Sequence, residues 1–196
     1  MEWLSEHTVK SIPGEEPRNK LRMLEVGSLR SDNACSKSEL FDVERIDLHS
    51  QHSDIKEQVF MNRPIPGAAD LDQEGFDIVS LSLVVNFVSN PTERGEMLRR
   101  VEAFLRPSVQ EQAGPFPALF LVLPVACVRN SRYLAEGKLE AIMKSLGYRK
   151  IKRKMSAKLV YYLWKHNKTS KDKSKPFKKQ ELRAGKSRNN FAITLH

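Results

Sequence analysis

The sequence predicts an α/β fold, an open and mostly parallel sheet closed by a C-terminal antiparallel hairpin. Three observations lead to this. Leu24-Glu25-Val26-Gly27-Ser28 has the form of a buried strand ending in an acid-x-Gly turn, and Arg45-Ile46-Asp47-Leu48 follows as a second strand ending in a carboxylate. Phe76–Val85 and Ala118–Leu123 are nearly continuous apolar runs, the pattern of central parallel strands buried on both faces. Tyr148–Met155 and Leu159–Trp164 are joined only by Ser156-Ala157-Lys158, which reads as a hairpin.

The elements follow in order. Residues 1–20 are polar, contain Pro13, Gly14 and Pro17 and show no sustained period, so they are expected to be a flexible lead-in. Leu21–Val26 is the first strand. The stretch from Gly27 to Leu40 is rich in Ser, Asp and Asn without a 3.6 period, and is expected to be a loop with at most a helical turn. Val43–Leu48 is the second strand and Gln58–Phe60 a short third one before the turn residues 62–67. After the Phe76–Val85 strand, Asn90 stands as an N-cap with Pro91 at the first helical position. Met97, Leu98, Val101, Phe104 and Leu105 then form one apolar stripe, stopped at Pro107. A further helix is expected over Ser131–Leu146, capped by Gly147. After Trp164 the chain becomes rich in Lys, Ser and Asn, and 165–196 is expected to be a basic, disordered tail. The domain proper is thus 21–164.

Composition limits the possible functions. The 196 residues suit one domain plus a tail. The apolar run Leu119–Val128 is too short to cross a bilayer, so no membrane partner is expected. The N-terminus carries no signal pattern. Two cysteines, Cys35 and Cys127, supply neither a disulfide framework nor a four-ligand metal site and read as small buried hydrophobes. Charge is lopsided: residues 149–188 hold 16 Lys and Arg against Asp172 and Glu181, a balance of +14, while the remainder balances to −5. A one-sided basic segment fits contact with a polyanion; a solvated tail aiding solubility or nuclear import is the alternative.

The chemistry points to a nucleoside ligand. Gly27 lets the backbone pass close to a ligand, and Asp47 at a strand end can accept from ribose hydroxyls. The Gly-x-Gly-x-x-Gly of a dinucleotide site is missing, as is a long helix after Gly27, so there is no diphosphate cradle. A phosphate-free adenosyl ligand such as S-adenosylmethionine tolerates that lack. An open parallel sheet ending in a hairpin is the Rossmann-like layout of class I methyltransferases.

Glu-Val-Gly-Ser (25–28), Val-Val-Asn-Phe-Val (84–88), Arg-Gly-Glu-Met-Leu (94–98) and Leu-Pro-x-x-Cys-Val-x-Asn-Ser-Arg-Tyr (123–133) together resemble the fungal 25S rRNA adenine-N1 methyltransferase family. The resemblance runs from about Leu21 to Trp164. It implies S-adenosylmethionine-dependent methylation of N1 of an adenine in large-subunit rRNA, in the nucleus and nucleolus, on rRNA or a pre-ribosome and with assembly factors as further partners. The matching cofactor contacts are Gly27 and Asp47; Glu25 bonds either the turn amides or the cofactor's ammonium. Asn86 and Phe87 end the central strand where such sheets place substrate, with Asn86 either bonding the base edge or capping the strand, and Phe87 either stacking or in the core. The Asn-Pro-Pro-aromatic motif of amino-directed enzymes is absent. N1 of neutral adenine already carries an in-plane lone pair, so no His or Cys base is expected, and His49 and His52 read as loop residues. Asn130, Arg132 and Tyr133 lie on the same rim, as substrate contacts or helix caps. Set against the family, most of the N-terminal part is expected to be missing before Leu21, so the chain reads as a fragment or short form. A non-catalytic S-adenosylmethionine sensor acting through a protein partner is the alternative function, and an RNA-binding pseudo-enzyme a third.

Overall fold

Seven strands form one sheet, in the spatial order β3-β2-β1-β4-β5-β7-β6. This computed structural model describes residues 20–107, 114–167 and 176–196; all but the last residue of the expected lead-in, 1–20, lies outside the described residues. The strands are β1 (Leu21–Val26), β2 (Phe41–Asp47), β3 (Lys56–Glu57), β4 (Ile78–Ser82), β5 (Ala118–Pro124), β6 (Tyr148–Met155) and β7 (Leu159–His166). The pairs β1–β2, β1–β4, β2–β3 and β4–β5 are parallel, and β7 runs antiparallel between β5 and β6. The sequence-predicted mostly parallel sheet with a C-terminal hairpin is therefore the observed one.

Four α-helices accompany it among the described residues: α1 (Leu71–Glu74), α2 (Pro91–Arg100), α3 (Val125–Arg129) and α4 (Glu136–Ser145). Asn90 caps α2 as its sequence position predicts, its side chain accepting from Thr92 N at 2.8 Å. The stripe Met97, Leu98, Val101, Phe104 and Leu105 is buried throughout, the last three after the helix proper. It packs with Leu24, Leu81, Leu121 and Ile142 on one face of the sheet, while Met23, Phe41, Ile78 and Phe120 form a second cluster. Neighbouring residues of β1, Met23 and Leu24, are thus both buried on different clusters, as a central strand requires.

Three elements differ from expectation. The third strand lies at Lys56–Glu57, because Phe60 instead turns into the core, its ring 5.4 Å from that of Phe104. β4 stops at Ser82, since Leu83 adopts φ 61° and leaves the extended conformation. The helix expected over Ser131–Leu146 is shorter, Glu136–Ser145, and follows the separate short helix Val125–Arg129. Between them the buried Ser131 hydroxyl accepts from Tyr133 N and Leu134 N, both at 3.0 Å, which favours a turn over a continuing helix.

A fourth difference is larger. The tail expected to be disordered is not so over residues 176–196: Phe191, Ala192, Ile193, Thr194 and Leu195 are buried, and Phe177 pairs with Leu195 in an antiparallel bridge. The apolar Phe-Ala-Ile-Thr-Leu end supplies the burial that a Lys-rich composition obscured. Residues 168–175 of that tail lie outside the described residues.

Candidate functional site

The carboxyl ends of β1, β2 and β4 lie side by side, and the sequence-predicted residues gather there. Gly27 follows β1 with φ +74°, a left-handed conformation that favours glycine, and its N–H donates to the Ile46 carbonyl at 2.8 Å. A Cβ at this position would stand 2.5 Å from Val84 Cγ2. Glycine is required here by the contact between the turn after β1 and the loop after β4.

Glu25 organises that turn. Its two oxygens accept from Asn33 Nδ2 at 2.7 and 2.8 Å, Ser28 Oγ lies 3.2 Å away, and Arg45 Nε stands at 3.7 Å. Asn33 passes the restraint on, its Oδ1 accepting from the amides of Cys35 and Ser36 at 3.1 and 3.2 Å. Of the two roles open to Glu25 in the sequence, the observed bonds hold the loop, through side chains where amides were expected.

Asp47 ends β2 with its carboxylate half-buried. One oxygen accepts from His49 N at 2.9 Å, which fixes the side chain and leaves the second oxygen to accept from a ligand. His49 and His52 are exposed loop residues.

An apolar rim surrounds these groups. Leu29, Leu48, Val59 and Phe87 follow β1, β2, β3 and β4 in turn and are 76%, 56%, 41% and 82% exposed. Exposed apolar side chains grouped at strand ends form a surface for a flat, partly apolar ligand. Of these four, sequence reading singled out Phe87 alone, since Leu48 and Val59 read as strand residues and Leu29 as part of a polar loop.

Asn86 and Phe87 sit in the turn after the strained Leu83 and so reach the sheet's edge together. The Asn86 Oδ1 is buried yet accepts no hydrogen bond, which is unusual for a buried acceptor. Asn86 lines a cleft of about 600 Å³ with Arg94, Pro124, Cys127, Lys179 and Phe191. Phe87 is outside the core and its ring is free to stack. Burial pushes the Cys127 thiol up to about 11, with the nearby Arg94 charge acting in the opposite direction, so the thiol stays protonated at physiological pH. Asn130, Arg132 and Tyr133 reach the rim but hold the C-terminal segment: Asn130 Nδ2 donates to Ser187 O at 3.1 Å and Arg132 Nη1 to Asn190 Oδ1 at 2.6 Å. Among the described residues no three His, Cys, Asp or Glu side chains converge on one point, and no helix is long and apolar enough to cross a membrane.

Residues 1–193 match the family described as Bmt2, 25S rRNA (adenine(2142)-N(1))-methyltransferase. The chain belongs to this family. It is 41% identical over 180 residues to the 25S rRNA adenine-N(1) methyltransferase of Schizosaccharomyces pombe, covering 91% of this chain and 61% of that protein. It is 38% identical over 173 residues to the 25S rRNA (adenine(2142)-N(1))-methyltransferase of Saccharomyces cerevisiae, covering 88% of this chain and 48% of that protein. The chain thus spans about half to three fifths of the length of these relatives. Its fold is similar to that of an O-methyltransferase family protein from Burkholderia thailandensis, with TM-score 0.52 at 8% identity, over 74% of this chain and 51% of that one. At that identity the likeness speaks for the fold alone, and the fold is the Rossmann-like methyltransferase sheet that the element order predicts.

Proposed function

We propose that this family member is a methyltransferase domain that transfers a methyl group from S-adenosylmethionine to N1 of an adenine in 25S rRNA. The observation that carries the reading is one edge of the sheet that joins two half-sites. Gly27 follows β1 and Asp47 ends β2, and an unpartnered buried acceptor, Asn86 Oδ1, follows β4, the strand next to β1.

The residues fit the cofactor. The free oxygen of Asp47 would accept from a ribose hydroxyl, Leu48 and Val59 offer apolar surface to the adenine ring, and the Gly27 turn presents backbone. Glu25 keeps that turn in shape through Asn33 and Ser28. When bound, S-adenosylmethionine supplies an electrophilic methyl on a sulfonium.

The protein's own part is then alignment and exclusion of water. N1 is on the Watson–Crick edge, so the target base has to be unpaired or flipped out. Asn86 Oδ1 suits the exocyclic amine next to N1, since that amine is a donor and guanine offers an acceptor at the same place. Phe87 stacks on the base. N1 loses no proton on attack, so no side-chain base is needed. The basic hairpin residues Arg149, Lys152, Lys154 and Lys158 and the C-terminal segment attract rRNA phosphates without reading sequence. With that substrate the protein would act in the nucleus and nucleolus, on rRNA or pre-ribosomal particles, with assembly factors as further partners.

The test is calorimetric titration with S-adenosylmethionine, followed by incubation with unmodified large-subunit rRNA and mass-spectrometric detection of 1-methyladenosine. Binding with product formation is expected. Binding without product would favour the sensor function instead, and absence of binding would remove the reading altogether.

A further inference from the structure

The C-terminal segment that composition marks as a tail is built into the helix layer. Arg94, 8% exposed, donates to the carbonyls of Val88 and Ala192, both at 2.7 Å, and its guanidinium lies 4.3 Å from the Phe191 ring centre. Thr194 N donates to the Pro91 carbonyl at 3.0 Å, and the Ser131 hydroxyl donates to the Phe191 carbonyl. Asn189 forms a parallel bridge with Ser131. Arg183 donates to the carbonyls of Val128, Arg129 and Leu134, covering the carboxyl end of α3.

This docking has a consequence for the cleft beside Asn86. One wall comes from the loop after β4 and from the start of α3, at Asn86, Pro124 and Cys127. The facing wall comes from the C-terminal segment, with Lys179, Asn190 and Phe191. Lys179 is exposed, with its ammonium 4.5 Å from the Tyr133 ring centre and no ion-pair partner among the described residues. Residues 176–196 carry five basic side chains against Glu181 alone. A cleft of this size, apolar at Cys127 and Phe191, with one unpartnered acceptor deep and one free cation at the mouth, matches a nucleotide: base inside, phosphate outside.

We infer that the C-terminal segment is the second wall of the target-nucleotide site and that Lys179 binds a phosphate beside the target adenine. This rests on the methyltransferase reading for its substrate class. It assigns Lys179 as a substrate-binding residue and makes the segment part of the RNA site, where composition alone suggested a diffuse attractor.

The test uses the full chain and its Lys179→Ala, Lys179→Arg and Lys178→Ala variants. Lys178 has the same charge and is equally exposed but does not line the cleft. Each is titrated with S-adenosylmethionine and, across a salt series, with a short single-stranded adenosine-containing oligoribonucleotide. For Lys179→Ala the expected result is unchanged cofactor affinity, about tenfold weaker RNA binding and a salt slope smaller by about 0.7. KM for rRNA should rise while kcat holds, and Lys179→Arg should restore binding. Equal losses in Lys178→Ala and Lys179→Ala, or no loss in either, would overturn the assignment while leaving cofactor binding intact. Failure of the wild-type chain to bind cofactor and RNA alike would overturn the methyltransferase reading and the assignment with it.

Discussion

Gly95 on α2 and Thr194 near the C-terminus meet without room for a side chain: a Cβ on Gly95 would stand 1.9 Å from the Thr194 carbonyl oxygen. Glycine in mid-helix costs about 1 kcal/mol relative to alanine, and here that cost allows backbone to lie against backbone. Three residues before Gly95, the Thr92 hydroxyl lies 3.1 Å from that of Thr194. The helix that follows β4 and the last residues of the chain are therefore one packed unit, and that unit carries one wall of the cleft.

Gly95→Ala should undo this. The added methyl meets a carbonyl oxygen, which cannot rotate away as a flexible side chain would, so the segment has to lift. A loss of about 1–3 kcal/mol is expected, the usual cost of overpacking, or a drop in Tm of about 2–4 °C per kcal/mol. Limited proteolysis should cut at Lys178, Lys179 or Arg183 sooner than in the wild type. An unchanged melting temperature and cleavage pattern would mean that the segment is not held at this contact.

Asp47→Ala should separate cofactor binding from folding. The carboxylate accepts from His49 N, and losing that bond at a half-exposed site costs about 1 kcal/mol. The cofactor loses a charge-assisted bond of about 1.5–3 kcal/mol, so calorimetry should read affinity about ten- to hundredfold weaker, with the fold retained in circular dichroism. Affinity within twofold of wild type would move the ribose site elsewhere.

Phe87→Ala tests the opposite combination. At 82% exposure the ring contributes little to the core, and the melting temperature should stay within the range of an ordinary surface change, about 0.5 kcal/mol. Loss of a stacking ring costs about 1–3 kcal/mol per base. The variant should bind S-adenosylmethionine normally while its rRNA methylation at limiting RNA falls by about tenfold or more.

The sequence exposed the sheet well and the segment around the site unevenly. Leu24 to Gly27 and Ile46 to Asp47 were legible because strand burial and turn chemistry act locally, and Asn90 with Pro91 announced α2 for the same reason. Leu83 was not legible. A leucine at positive φ is imposed by tertiary packing, and nothing in the run Ser82-Leu83-Val84-Val85 signals it. The turn at Ser131, which delays the helix to Glu136, was equally hidden, since its hydroxyl is drawn in by a partner 60 residues later, the Phe191 carbonyl. The C-terminal segment was misread because charge counting averages over it. Five basic residues mask five consecutive buried ones, Phe191 to Leu195, and Gly95, the residue that admits them, reads in sequence as a mere weak point in a helix.

The cysteines give a prediction in the alkaline range. Burial pushes Cys127 up to about 11 and Cys35 up to about 12, the latter raised further by Glu25. The ordinary value is near 9.0. The folded state thus holds both protons more tightly than the unfolded chain. Stability from this source is complete below about pH 9 and falls as pH rises from there toward the folded values, because the unfolded chain has released protons that the folded one retains. Denaturant titrations at pH 8, 9 and 10 should show declining stability, and the decline should be shallower in a Cys35→Ala, Cys127→Ala chain. Iodoacetamide at pH 8 should leave the native thiols unmodified and label both in urea. Rapid labelling of Cys127 in the native chain would instead mean that the cleft opens far enough to expose its floor, and would require a target site that closes only around RNA.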